Sequence, residues 1–156
     1  MRKNSAPAGA SQPAKIKSLV WVGSSRTDLK AFPAEVKDVL GYALYQAQIG
    51  QKAISAKPLR GFGGAGVLEI VEDHQGDTYR AVYTVTISQF VYVLHAFQKK
   101  SKKGIATPKS DLDLIRKRLS AAEKDYQRGG RQEDVPNESK AQSNKDQKSK
   151  HAKREG

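Results

Sequence analysis

The chain has 156 residues, a formal charge of +12 and no cysteine. That length carries one ordinary domain with tails, and the lack of cysteine excludes disulfides, cysteine nucleophiles and thiolate metal sites. No apolar run approaches the roughly 18 residues of a membrane span, and no apolar stretch follows the basic N-terminus as in a secretory signal; a cytoplasmic protein is expected.

The charge is spread along the chain. Residues 1–17 carry +4 and residues 127–156 carry +3, while residues 18–126 hold sixteen basic against eleven acidic side chains. A basic core points to a polyanionic partner. Both ends are poor in large apolar residues, Val135 being the single large aliphatic residue after position 126. Such segments bury too little apolar surface to offset the entropy of ordering them. The expected organisation is a disordered basic tail over 1–17, a folded domain over 18–126 and a disordered polar tail over 127–156.

In chain order, SLVWVG (18–23) reads as a first strand, rich in β-formers and ended by Gly23. A helical stretch follows: Asp28 is placed to cap a first turn, Pro33 suits a helix start or a kink, and Val36, Val39, Leu40, Ala43, Leu44 and Ala47 recur at helical spacing. Gly50 is a natural stop. Residues 57–66, KPLRGFGGAG, form a glycine-rich connection. Three strands then follow as an antiparallel meander: 67–73, 78–85 and 90–97, with turns at His74–Asp77 and near Ser88. After a basic stretch, Ser110 is a good N-cap for a last helix, with Asp111 and Asp113 in its first turn. Leu112, Ile115, Leu119, Ala122 and Tyr126 give it one apolar face. The sum is an α+β domain: strand, helix, three-strand meander, helix, with a small, mainly antiparallel sheet and helices packed on one face.

Few residues stand out chemically. Gly61–Gly66 satisfies G-x-G-x-x-G, but it follows a helix and precedes a strand, the reverse of a dinucleotide fingerprint. It is a turn into a hairpin, or a loop whose backbone N–H groups approach a phosphate. Arg80 lies mid-strand on the same side as Val82 and Thr84, so its guanidinium needs an anion: a ligand phosphate, or a structural partner such as Glu69 or Asp77. Lys99, Lys100, Lys102, Lys103 and Lys109 form either a solvated surface or a phosphate-contacting strip beside Phe97 and His95, which can stack on or bond to a base. His95, in an apolar strand, reads by default as a satisfied core residue. The three histidines show no metal-ligand spacing, and no metal or cofactor is expected.

The stretches KPLRGFGGAGVLEI (57–70), GDTYRAVYTV (76–85) and VYVLHAFQKKSKKG (91–104) resemble the phage-derived, HigB-like branch of the RelE/ParE toxin superfamily. The resemblance covers about residues 18–126. It implies a RelE fold, cleavage of mRNA in the ribosome, and neutralisation by a cognate antitoxin, often a helix-turn-helix protein. It also implies that Arg80 acts at the scissile phosphate and that Lys99 and Lys100 are basic site residues at the end of the fourth strand. Lys57 and Glu69 lie near positions that supply a lysine or carboxylate in some members. The catalytic candidates are thus Arg80, Lys99, Lys57, Glu69 and His95, and the RNA-contacting candidates Arg60, Phe97, Lys100, Lys102 and Lys103. The ParE branch shares this fold and inhibits DNA gyrase without catalysis; it and a catalytically inactive RNA-binding protein are the alternatives.

Overall fold

The computed structural model describes residues 16–63, 66–99, 107–129 and 135. Among the described residues five strands and three helices follow in the order β1 (Ser18–Trp21), α1 (Ser25–Lys30), α2 (Ala34–Gln48), β2 (Ala56–Pro58), β3 (Val67–His74), β4 (Asp77–Ile87), β5 (Phe90–Lys99) and α3 (Lys109–Gln127). The strands form one sheet in the order β1-β5-β4-β3-β2. All pairings are antiparallel except β1 with β5. This is the expected α+β layout, and it is compatible with a RelE-like fold.

Period-two alternation divides the sheet into two faces. Leu19, Ile70, Tyr79, Ala81, Tyr83, Val91 and Val93 meet the apolar stripe of α2, which is Val36, Leu40, Ala43, Leu44 and Ala47, together with Leu29 of α1. Val20, Val22, Val67, Val82, Tyr92 and Leu94 meet Ile115 and Ala122 of α3. Helices on one face therefore describes α1 and α2, whereas α3 covers the alternate residues. The side covered by α3 is the α3 face.

Pro33 acts as the helix start its position suggested: the stretch after β1 breaks at Phe32–Pro33, and proline holds the N-cap position of α2, its ring lacking the N–H a continuous helix would use. Other local expectations are corrected. α3 starts one residue before Ser110, with Pro108 at the N-cap and no side-chain cap bond. Lys57 and Pro58, read as the start of a glycine-rich connection, instead belong with Ala56 to an edge strand paired with Leu68–Ile70. Three residues ending in proline are too short to show alternation, and proline is tolerated there because an edge strand has one unpaired side.

The register of β4 against β5 shifts between Val82 and Tyr83: Val82 faces His95, Tyr83 faces Val93, and Leu94 is the extra residue. In this bulge Leu94 joins the α3-side core and His95 bonds to α3 residues, so consecutive side chains share one face. Without that shift His95 would point at α2.

Val135, expected in a disordered tail, is 7% exposed and forms a parallel bridge with Val22. Its N–H donates to the Trp21 carbonyl at 2.8 Å, and its carbonyl accepts from the Gly23 N–H at 3.0 Å. One valine among polar neighbours carries no periodicity, yet it plugs the outer edge of β1 and joins the core beneath α3. A chain ending at Gly129 should accordingly melt several degrees below the full chain. Val135→Asp should reproduce most of that loss, since burying a valine contributes about 1.5–3 kcal/mol; thermal unfolding followed by circular dichroism decides it.

Candidate active site

The pairing register places the candidate residues in rows across the α3 face. Lys57, Glu69, Val82 and His95 are successive Cα partners along one row. Val71, Arg80 and Phe97 form the next, and Asp73, Thr78 and Lys99 the one after. Neighbouring strands lie about 4.8 Å apart, so four strands bring residues distant in sequence onto one surface. Lys57 is exposed on the edge strand, and Phe97 and Lys99 are half-buried. Arg60 is exposed in the loop after β2 and belongs to none of these rows. Lys100, Lys102 and Lys103 lie outside the described residues.

Arg80 is only 4% exposed. Its Nη1 donates to Glu69 Oε2 at 3.3 Å and to Thr107 Oγ1 at 3.2 Å, while the Thr107 hydroxyl donates to the same Glu69 oxygen at 2.6 Å. Of the two carboxylates suggested by the sequence, Glu69 is the partner; Asp77 Oδ2 instead accepts from the Gln98 amide at 2.9 Å. Thr107, just ahead of α3, is a site residue that the sequence did not single out. A lone threonine in a basic stretch carries no signal.

His95 is held at both nitrogens. Arg118 has only donors, so its Nη1, 3.3 Å away, leaves His95 Nδ1 as acceptor and Nε2 as the protonated nitrogen. Nε2 donates to Asp111 Oδ1 at 2.8 Å. Arg118 also donates to the Leu94 carbonyl at 2.9 Å, and to Ser24 Oγ at 3.1 Å, whose hydroxyl donates to Asp28 Oδ2 at 2.7 Å. The arginine lies against Gly23, where a Cβ would stand 2.7 Å from its Nε. Phe97 stacks on the imidazole, with centroids 4.7 Å apart and rings 19° from parallel.

Burial lowers the His95 pKa from its ordinary value of 6.5; the Asp111 bond opposes that shift, and the nearby Arg118 charge adds to it. Burial also lowers the pKa of Arg118, with Asp28 opposing. The neutral imidazole thus bridges a carboxylate and a guanidinium and fastens the start of α3 to the sheet. Arg118 was missed because α3 read as a clean apolar stripe. The signal was present: position 118 falls on the buried side between Ile115 and Ala122, at spacings of three and four.

Among the described residues no group of three or more metal-ligating side chains occurs, and no helix is long and apolar enough to cross a membrane. The mostly antiparallel five-stranded sheet, the crossover that brings β1 beside β5, and a face that carries Lys57, Arg80 and Lys99 together with the Glu69 carboxylate define a small α+β domain of RelE-like build. The chain belongs to the family described as Phage derived protein Gp49-like (DUF891), whose family model matches residues 27–120; the family is RelE/HigB-like and toxin-related. No curated protein and no solved structure matches the chain.

Two outcomes follow from this geometry. Glu69→Ala leaves a buried guanidinium without its carboxylate and should cost about 3–5 kcal/mol. The Glu69→Ala/Arg80→Ala double variant should lose clearly less than the two single losses combined, as measured by urea unfolding. The second outcome concerns pH. The folded-state pKa of His95 is depressed, so below about 6.5 the unfolded chain binds more protons than the folded one. Stability from this site is therefore intact above that value and falls as the pH drops through it. Denaturation midpoints between pH 7.5 and 5.5 should show the decline, and His95→Gln should flatten it.

Proposed function

We propose that the chain is the toxin of a type II toxin–antitoxin pair: an endoribonuclease that cuts mRNA held by the ribosome, blocks translation, and is neutralised by a cognate helix-turn-helix antitoxin. The observation that carries this reading is the cross-strand pairing of Lys57 with Glu69, a lysine and a glutamate at partnered positions of neighbouring strands, on the face that also bears Arg80, Phe97 and Lys99. Membership of a toxin-related family and the charge of +12 support it.

In this reading the Glu69 carboxylate takes the proton of a ribose 2′-hydroxyl. The freed oxygen attacks the adjacent phosphorus, the bond to the 5′-oxygen breaks, and the Lys57 ammonium gives that oxygen its proton. The products are a 2′,3′-cyclic phosphate and a 5′-hydroxyl. DNA, lacking the 2′-hydroxyl, is not cut. Lys99 and Arg80 stabilise the charge that builds on the phosphorane. Glu69 Oε2 already takes the Arg80 and Thr107 bonds, which fixes the carboxylate for its task. His95, with both nitrogens engaged, positions α3 rather than moving a proton. Arg60 and Phe97, with Lys100, Lys102 and Lys103, contact the RNA, and the ribosome supplies the alignment that raises the rate.

Induction of the chain without antitoxin should stop amino-acid incorporation before DNA synthesis falls, with mRNA broken to cyclic-phosphate ends. Glu69→Gln keeps an acceptor for Arg80 and should stay folded, while cleavage falls about 10²- to 10⁴-fold. Intact message with a DNA-damage response would identify a gyrase inhibitor instead, and bound but uncut RNA a catalytically inactive binding protein.

A further inference from the structure

One cluster on the flank of α3 is left unused by that chemistry. The loop after β2 carries Leu59 and Phe62, both packed against the core beneath α3. From α3, the Arg116 guanidinium sits over the Phe62 ring, its carbon 5.2 Å from the ring centroid. That distance is within the range of a cation–π contact. Gly61 makes the approach possible: its φ is +94°, and a Cβ there would stand 3.1 Å from Arg116 Nη2. Arg116 is further restrained by Asp113, one turn earlier, at 3.3 Å, yet 49% of its side chain stays exposed. Arg60, adjacent to Gly61, is exposed as well.

Leu59 already anchors the loop through apolar contact, so a guanidinium is not needed merely to hold it down. What the arrangement adds is a planar cation backed by an aromatic ring, half open to water, beside a second exposed arginine. Arginine planes and aromatic faces are what unpaired bases stack on, whatever their sequence. Arg60 lies only three residues beyond Lys57, at most roughly 10 Å of extended backbone. A strand crossing the α3 face thus needs little more than one nucleotide to reach it.

We propose that Arg116, supported by Phe62, is a stacking site for an unpaired RNA base next to the cleaved bond, with Arg60 the phosphate contact of the same nucleotide. This rests on the reading of the protein as an RNA enzyme and extends it: the substrate is single-stranded over at least the nucleotide beside the cut. The site lies outside the Lys57–Glu69 pair and takes no part in proton transfer.

The test is fluorescence anisotropy of the full chain with a labelled 12-nucleotide 2′-O-methyl RNA, which the proposed chemistry cannot cut, and with the same backbone carrying abasic residues. Arg116→Lys keeps the charge and loses the planar group. It should weaken binding roughly five- to hundred-fold on the strand with bases and leave binding to the abasic strand unchanged, with the melting temperature held. Equal loss on both strands would reduce Arg116 to a plain charge contact, and no loss on either would make it a structural clip; each overturns the stacking site alone. If the wild-type chain binds neither strand, the stacking site falls together with the RNA reading.

Discussion

The α3 face is governed by the cost of burying guanidinium groups. Arg80 of β4 and Arg118 of α3 are both nearly inaccessible where the helix meets the sheet, and neither can lose its charge there. A buried cation must be met by acceptors, and the surrounding structure supplies them. Glu69 and Thr107 serve Arg80; the Leu94 carbonyl, His95 and Ser24 serve Arg118. The acceptors come from β3, β5, the turn before α1 and the approach to α3. Satisfying two side chains therefore fixes how four separate parts of the chain meet. Replacing such groups with apolar residues often costs no stability, so this arrangement is better explained by what the face must do than by how firmly it must hold.

Much of this was legible in the sequence where a residue declares its own environment. Alternation in TYRAVYTV put Arg80 opposite Tyr79, Ala81 and Tyr83, which the two cores bear out. An arginine so placed demanded an anion, and Glu69 was among those named. The meander was readable because each turn is two residues long, between strands of eight to eleven residues. What stayed hidden depended on non-local pairing. β2 exists only because β3 offers it an edge. Val135 matters only because β1 leaves one open. Thr107 becomes a site residue only when the chain returns to Glu69, 38 positions earlier.

The bulge at Leu94 shows how a one-residue irregularity distributes function. A regular β5 would send His95 toward α2, among the packed side chains of Tyr83 and Val93. With the extra residue, the imidazole instead faces Asp111 and Arg118, and Phe97 covers it. Bulges are common where a sheet must re-aim a side chain. Here the re-aimed residue secures the helix that borders the site, so the geometry of the polar rows and the seating of α3 are set by the same step in register.

The parallel pairing of β1 with β5 has a consequence for synthesis. β1 is the first strand made, yet its sheet partner lies more than seventy residues later, and Ser24 waits for Arg118 across 94 positions. Contacts of such long sequence separation form late, because the intervening chain must first be made and then closed into a loop. A nascent chain holding everything up to β4 has its Lys57–Glu69–Arg80 rows but no β5 to complete the sheet and no α3 to cover it. The face is assembled only when almost the whole domain has left the ribosome, so truncated translation products do not present it.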